Sequence, residues 1–345
     1  MERRDAPLMV GVSGMRGIVG RSLTADRGAR FAAAFGSWLR RRAGGAPVGV
    51  VVGRDGRLGG DVLSSGAVAG LRGVGCDVRD IGVAATPTVG VAVDSQGMAG
   101  GLVVTASHNP QEWNGLKPLV RPVDARSNSV ATSAPPVLTA REIIGAYELD
   151  EIEGAAWDEQ GSYEMGQSLA AKAHLNRVSM AIEIIEPRDR IRAHRFRVVL
   201  DSVNGAGRVL GGMLLEALGC EVTHMGREPS GVFTRPPEPT AKSLSVAGGI
   251  RDVVRERGAT VGFAQDPDAD RLAIIDDRGE AISEEYTFAL AAEALLSTGR
   301  QRGKAVAANL STSRMIDDVA ARHGVEVVRA PVGEAASLAR LLGPL

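Results

Sequence analysis

The sequence predicts successive α/β domains, because one strand–helix–strand pattern occurs three times along the 345-residue chain. Each copy has an apolar β-branched run, a polar turn, an amphipathic helix, a glycine and a second apolar strand. The first two copies begin at Val50 and Val198, and a weaker third copy begins at Val306. Units of this kind form parallel strand pairs. Their wide spacing therefore predicts separate domains, each with a mainly parallel sheet, and argues against a short-period solenoid.

Length and repeat positions together divide the chain. A chain of 345 residues exceeds the usual size of one compact domain. The predicted units are domain I at 1–155, domain II at 165–280 and part of a domain III at 281–345. Two complete α/β domains and the first part of a third are therefore expected.

Helices are also predicted between the repeats. Thr24 is placed to cap a helix with one apolar face, formed by Phe31, Phe35, Trp38 and Leu39. Thr139 and Glu142 have capping-box spacing, which predicts a helix that begins near Ala140. Ser283 is predicted to cap a helix from 284 to about 296, and 121–136 is predicted to be an exposed loop.

Composition excludes several classes of protein. Hydrophobic residues make up 44% and charged residues 23% of the chain, which excludes a disordered protein. The net charge of −1 predicts no attraction to nucleic acid or to an anionic membrane, so any anion must bind at a local site. No apolar run reaches the roughly 18 residues of a membrane span, and no signal-peptide core is present. We therefore expect a cytoplasmic protein, in which Cys76 and Cys220 are small buried residues.

The first segment that indicates chemistry surrounds Ser107. An apolar, strand-like run leads into Thr-Ala-Ser-His-Asn-Pro at 105–110, and Lys117 follows. A nucleophile needs a hydroxyl on a rigid loop, a group that handles its proton and a nearby cation. Ser107, His108 and Lys117 have these properties. A plain turn stays open as the alternative, because Asn-Pro commonly forms one.

The second segment contains three carboxylates at alternate positions. Asp266, Asp268 and Asp270 lie between two apolar, strand-like runs. Their charges would repel one another unless a cation lies among them, and oxygen-only ligands suit Mg²⁺. An EF-hand calcium loop would need glycine in place of Arg271 and glutamate in place of Asp277. A solvated acidic turn is the remaining alternative, although the apolar flanks favour burial.

Two glycine-rich segments are less specific. Glycines bracket Arg16 within 11–20, so the backbone could approach a ligand while the guanidinium binds phosphate oxygens. Segment 201–211 follows a strand and opens a helix, as a dinucleotide fingerprint does, but its last glycine comes one position late. A plain strand-to-helix turn is the favoured interpretation of that second segment.

Together these segments resemble the alpha-D-phosphohexomutase family. Segment 105–110 is similar to the family's phosphoserine loop and 266–271 to its metal loop, in the same order and spacing. Within the family, segments 13–17 and 309–314 most resemble bacterial phosphoglucosamine mutases. The resemblance extends from Val10 to about Glu334. It implies successive three-layer α/β domains with mainly parallel mixed sheets, an incomplete third domain and no fourth.

The resemblance also implies a role for each matching residue. The metal ligands are Ser107, Asp266, Asp268 and Asp270. The catalytic residues are Ser107, His108, Lys117 and Arg16, with Lys117 preferred over His108 for moving the proton of the sugar hydroxyl. The phosphate- and substrate-binding residues are Arg16, Asn109, Arg271, Gly333 and Glu334.

The implied activity is a phosphoryl exchange between the 6- and 1-positions of a hexose or hexosamine phosphate. Phosphorylated Ser107, primed by a sugar 1,6-bisphosphate, and Mg²⁺ would be the cofactors. Glucosamine 6-phosphate is the favoured substrate, and mannose and glucose phosphates are the alternatives. The sugar-gripping loop of the third domain and the phosphate loop of the fourth are not found in the sequence. A non-catalytic phosphosugar-binding remnant is therefore the competing hypothesis. The expected protein is a monomer or homodimer that binds neither nucleic acid nor membrane.

Overall fold

A computed structural model of the chain describes residues 7–121, 131–300 and 305–331. These ranges form sheets of seven, five and two strands. None of their helices combines the length and apolar character that a bilayer crossing requires.

The first sheet is mixed and has helices on both faces. Its strands are β1 (Met9–Gly11), β2 (Gly14–Ile18), β3 (Val48–Arg54), β4 (Cys76–Val83), β5 (Gly100–Val104), β6 (Trp113–Val120) and β7 (Tyr163–Met165). The accompanying helices are α1 (Ala25–Arg42), α2 (Gly60–Gly73), α3 (Thr86–Gln96), α4 (Val137–Glu148) and α5 (Gln167–Ile185). The strand order is β1-β2-β6-β5-β3-β4-β7, in which β5, β3, β4 and β7 pair in parallel.

Strand β3 shows why this sheet is covered on both faces. Val50 and Val52 pack in the core beneath α1 and α2, whereas Val51 packs in the opposite core with α3. All three side chains are fully buried, because successive residues of a strand point to opposite faces. The continuous apolar run in the sequence therefore produces the three-layer arrangement.

The second sheet repeats this plan. Its elements are α6 (Arg188–His194), β8 (Arg197–Asp201), α7 (Gly207–Ala217), β9 (Glu221–Met225), α8 (Ile250–Arg257), β10 (Val261–Gln265), β11 (Leu272–Ile275) and β12 (Ala281–Ile282). The strand order is β12-β11-β10-β8-β9, and β10, β8 and β9 are parallel. Val199 packs in the core that includes residues of α8, whereas Val198 and Leu200 pack in the core that includes α7.

The described part of the third unit contains α9 (Glu285–Leu296), β13 (Ala305–Asn309), α10 (Met315–Arg322) and β14 (Glu326–Ala330). Strands β13 and β14 pair in parallel, and α9 and α10 pack around a shared apolar core. All three predicted strand–helix–strand repeats are thus present as parallel pairs. The proposed domain limits stay a prediction. Strand β7 belongs to the first sheet, yet it begins in the interval 156–164 between the two predicted domains and ends at 165, the predicted start of domain II.

Several local predictions are wrong in detail. Helix α4 begins at Val137 after Pro136, so Thr139 lies inside the helix and caps nothing. The carboxylate of Glu142 instead accepts a hydrogen bond from Trp38 Nε1 at 3.0 Å. The proline explains the earlier start, because its fixed φ suits a residue next to the first helical turn.

The other two predicted N-caps lie closer to the observed helix starts. Helix α1 begins directly after Thr24, but the Thr24 side chain makes no capping hydrogen bond. Helix α9 has Glu284 as its N-cap, one residue later than Ser283. The described end of the predicted exposed loop is also partly buried, since Thr132 and Ser133 pack inside and Thr132 Oγ1 donates to Asp94.

Candidate active site

Ser107 lies just beyond the carboxyl end of β5, in the turn that leads to β6. Its side chain is buried and its φ is +50°, a left-handed conformation that is uncommon for residues other than glycine. The backbone N–H of Ser107 donates to Thr105 Oγ1 at 2.8 Å, and that hydroxyl donates to Asp55 Oδ2 at 2.6 Å. Backbone strain of this kind persists where surrounding contacts fix it and is concentrated at functional sites.

A buried ion pair holds this turn from below. Arg57 Nε donates to Asp55 Oδ2 at 2.8 Å, and both side chains are fully buried. The same guanidinium donates to the carbonyl oxygens of Ser107 at 2.6 Å and Trp113 at 2.5 Å. Asp55 follows β3 and Thr105 follows the adjacent parallel strand β5, which explains how residues far apart in sequence meet at one sheet edge.

The three aspartates meet Ser107 from the second sheet. They occupy the turn between β10 and β11, and one oxygen from each lies within 4.8 Å of the others. Asp266 and Asp268 are fully buried, whereas Asp270 is exposed. Ser107 Oγ donates to Asp266 Oδ2 at 3.2 Å, so the predicted phosphoserine and metal loops are in direct contact.

The carboxylates of this cluster repel one another. Burial, followed by repulsion from Asp268 and then Asp270, raises the pKa of Asp266 to about 9. Asp268 Oδ1 is buried and has no hydrogen-bond partner. A buried carboxylate oxygen needs a donor or a cation, and a set of carboxylate oxygens with a serine oxygen suits a hard divalent ion. The donor set therefore fits Mg²⁺.

Cationic side chains surround the aspartates. Lys117 Nζ lies 3.2 Å from Asp270 Oδ2. Arg16 Nη1 donates to Asn109 Oδ1 at 3.1 Å, and burial lowers the pKa of Arg16 from its ordinary value. Arg271 points partly to solvent, where its Nη1 pairs with Glu238 Oε1 at 2.6 Å.

His108 is the remaining predicted proton carrier. Its Nδ1 lies 3.4 Å from Ser107 Oγ. Burial, followed by the nearby charge of Arg271, lowers the pKa of His108 and favours the neutral imidazole. A neutral imidazole at this distance is able to exchange a proton at the serine oxygen.

The structure thus brings together the predicted residues of domains I and II. Gly333 and Glu334 lie outside the described residues, so their predicted contact with sugar stays a prediction. Segment 201–211 contains the turn between β8 and α7, and this turn packs on the metal loop, since Ala206 N–H donates to Pro267 O at 2.7 Å. This contact gives the segment a structural role, as the plain-turn interpretation predicts.

Sequence reasoning missed the residues that support the site. Asp55, Arg57 and Thr86 touch the predicted loops without belonging to their motifs, whereas Thr105 belongs to the serine motif but was given no role. One signal was available for Asp55: the first strand of the second repeat also ends in an aspartate, Asp201. Asp201 likewise pairs with an arginine in a buried position, at 2.6 Å. The arginine partners come from different places in the chain and have no common spacing.

Comparison with known proteins identifies relatives along most of the chain. Residues 7–124, 172–279 and 283–342 match alpha/beta/alpha domains I, II and III of phosphoglucomutase/phosphomannomutase, respectively. A phosphoglucomutase/phosphomannomutase of Thermococcus kodakarensis is 35% identical over 327 residues, which cover 94% of this chain and 67% of that protein. A probable phosphoglucosamine mutase of Methanopyrus kandleri is 34% identical and is covered to 66%. The chain thus spans about two thirds of the length of these relatives.

Solved structures show the same likeness. A phosphoglucomutase/phosphomannomutase family protein from Burkholderia thailandensis has a TM-score of 0.75 and 27% identity, over 98% of this chain and 70% of its own. A putative phosphomannomutase from Thermus thermophilus has a TM-score of 0.74 and 25% identity, with coverage of 95% and 70%.

Proposed function

This chain belongs to the phosphoglucomutase/phosphomannomutase family, and we propose that it moves a phosphoryl group between the 6- and 1-positions of a hexosamine phosphate. Ser107 is the proposed carrier of the group, and a sugar bisphosphate is the proposed intermediate. The favoured net reaction converts glucosamine 6-phosphate into glucosamine 1-phosphate.

The contact between Ser107 and the aspartate cluster is the observation that carries this proposal. Ser107 Oγ lies 3.2 Å from Asp266 Oδ2, and the side chains of Ser107, Asp266 and Asp268 are buried. A phosphoryl group on Ser107 would add nearly two negative charges beside these carboxylates. Such a site is tolerable only with a divalent cation and nearby basic side chains, and this requirement matches the composition of the site.

The proposed transfer has two symmetrical steps. In the first, a sugar hydroxyl gives its proton to a neighbouring base as its oxygen attacks the phosphorus on Ser107. The bond from phosphorus to Oγ breaks, and Oγ leaves with the electron pair and takes up a proton. The sugar then carries two phosphates and reorients. In the second step Ser107 Oγ attacks the other phosphate, and the sugar oxygen leaves with its electron pair. Because little covalent chemistry is asked of the protein, positioning and charge neutralisation supply most of the rate.

Three aspartates and Ser107 are the residues that would hold Mg²⁺. When bound, the ion would neutralise negative charge that develops on the phosphoryl oxygens. Arg16 would bind the same oxygens, and its bond to Asn109 keeps the guanidinium beside the serine turn. Arg271 would share this role after release from its partly exposed pair with Glu238.

Lys117 is the first choice for the residue that moves the proton of the sugar hydroxyl. Its Nζ is held at the aspartate cluster by Asp270, at 3.2 Å. His108 is the second choice, because its lowered pKa favours the neutral form that accepts a proton. Substitution of each residue should therefore alter the pH dependence of the reaction differently.

The proposed sugar substrate is chosen from the names of related proteins. Proteins from several archaea that are 32–34% identical to this chain are named probable phosphoglucosamine mutases. The first relative described above is named for glucose and mannose phosphates. These names support a hexosamine phosphate as first choice and define the two sugars that must be tested beside it.

The test is a coupled mutase assay with Mg²⁺ and a trace of glucose 1,6-bisphosphate, run in parallel on the 6-phosphates of glucosamine, mannose and glucose. Intact mass spectrometry reports whether the protein carries a phosphoryl group. We expect turnover of glucosamine 6-phosphate and a phosphoryl group that Ser107→Ala removes. Ser64→Ala, a buried serine of α2, is the matched control and should retain both properties.

The possible outcomes test the phosphoserine mechanism and the identity of the sugar substrate separately. Turnover of mannose or glucose phosphate alone would keep the phosphoserine mechanism and overturn the glucosamine assignment. An unphosphorylated protein that turns over none of the three sugars would overturn the enzyme proposal and favour a phosphosugar-binding module.

A further inference from the structure

Thr86 of the first sheet's α3 contacts the metal loop of the second sheet twice. Its Oγ1 donates to Asp268 Oδ2 at 2.6 Å, and its backbone N–H donates to the Asp268 carbonyl oxygen at 2.9 Å. Thr86 is the first residue of α3, where backbone N–H groups have no acceptor within the helix. Asp268 therefore satisfies a helix end as well as a side-chain hydroxyl.

These bonds make the two carboxylate oxygens of Asp268 unequal. Oδ2 is taken by Thr86, whereas Oδ1 is buried and has no partner. The side chain of Thr86 is itself almost fully buried, so water cannot easily replace its hydroxyl. Oδ1 is consequently the Asp268 oxygen with no hydrogen-bond donor, and both of its lone pairs are available to a cation.

We propose that Thr86 is a positioning residue for Mg²⁺, which fixes Asp268 so that Oδ1 faces the metal and which couples metal binding to the docking of domain I on domain II. This inference rests on the proposed function, because it assumes that the aspartates hold Mg²⁺.

The coupling follows from where the ligands lie. Ser107 belongs to domain I and the three aspartates to domain II, so a metal that touches both sets is held only while the domains are docked. The Thr86 bond to Asp268 and the contact of Gln111 with Phe233 join the same two domains beside the site. A bond that favours the docked arrangement must strengthen metal binding, and by reciprocity bound metal must strengthen docking.

The test measures Mg²⁺ affinity of the full chain by isothermal titration calorimetry, without substrate. Thr86→Val keeps the shape of the side chain and removes its hydroxyl, whereas Thr86→Ser keeps the hydroxyl. Loss of a hydrogen bond that orients a metal ligand typically weakens binding about 10- to 100-fold. We expect a loss in that range for T86V and an affinity near wild type for T86S.

Thr88→Val is the matched control. Thr88 is buried on the same helix, and its hydroxyl bonds His174 Nδ1 at 2.8 Å, away from the metal loop. T88V should lower the melting temperature yet leave Mg²⁺ affinity within about twofold of wild type. A merely structural role for Thr86 would make T86V behave like T88V.

A second readout is the rise in melting temperature on addition of Mg²⁺, which should be smaller for T86V than for T88V. If T86V binds Mg²⁺ as tightly as a wild type that binds it normally, this inference is overturned and the proposed metal site stands. Absence of Mg²⁺ binding by the wild type would overturn the proposed metal site as well. If T86V does not fold, Thr86→Cys takes its place, since a thiol is only a weak donor. Wild-type affinity in T86C would then contradict the inference.

Discussion

Asp55→Asn tests whether the ion pair beneath the serine turn stabilises the protein and positions Ser107. Asp55 and Arg57 are fully buried, and the carboxylate accepts three bonds, from Arg57 N, Arg57 Nε and Thr105 Oγ1. An asparagine has one acceptor oxygen and turns an NH₂ group toward donors. The substitution therefore removes a charge and leaves the Arg57 guanidinium buried without its counterion.

The expected cost is large because the pair has no access to water. Removing one partner of a buried ion pair typically destabilises a protein by about 3–5 kcal/mol. An exposed pair typically contributes about 0–1 kcal/mol. Arg30 and Asp150 form such a pair in the same domain, with side chains that are 48% and 66% exposed. Asp150→Asn is therefore the matched control.

The assay is urea unfolding followed by tryptophan fluorescence. The three tryptophans, at positions 38, 113 and 157, lie near or within domain I, so the signal reports that part of the chain. We expect the free energy of unfolding to fall by about 3–5 kcal/mol in D55N and by less than about 1 kcal/mol in D150N. Equal effects of the two variants would refute the stabilising role of the buried pair.

The same variant should also slow phosphoryl transfer. Arg57 donates to the Ser107 carbonyl, and Asp55 fixes Thr105, which in turn binds the Ser107 N–H. Displacement of a reacting group by about 1 Å can cost on the order of 10²-fold in rate. We expect a fall of that order in kcat measured well below the unfolding transition. A folded D55N protein with wild-type kcat would contradict the positioning role.

Three further predictions concern the metal cluster, the proton carriers and the turn at Gly205. Burial raises the pKa of Asp266 to about 9, so below that pH Mg²⁺ must displace a proton. Apparent Mg²⁺ affinity should therefore rise by up to about tenfold per pH unit toward pH 9. The metal-free protein should lose stability as pH rises from about 4 through 9. An Mg²⁺ affinity that does not change between pH 6 and 9 would contradict this prediction. Lys117→Met should lower kcat by about 10²- to 10⁴-fold and His108→Gln by less, as measured in pH–rate profiles, and a larger loss for H108Q would reverse their assignment. Gly205→Ala would place Cβ 2.5 Å from Pro267 O, so we expect a lower melting temperature and weaker Mg²⁺ binding; wild-type behaviour would show that the turn shifts freely.

The strands and helices could be predicted where local patterns dominate. The runs at Val50 and Val198 became central parallel strands, because continuous apolar residues suit a sheet that is covered on both faces. Helix starts were less predictable. Thr139 has the spacing of a capping box, yet Pro136 begins the helix earlier and Glu142 is used by Trp38. A cap competes with tertiary contacts of similar energy, and the sequence does not show those contacts.

The sequence by itself determined the order of the domains and the chemical types gathered at the site: a serine turn with His108 and Lys117, and a loop of three aspartates. Tertiary structure alone decided that Ser107 and Asp266 touch, that Arg57 lies beneath the serine turn, and that Thr86 binds one oxygen of Asp268. Motifs are local because turns and strands are set by neighbouring residues. The contacts that hold the site join residues far apart in the chain, and their geometry depends on how the two sheets pack.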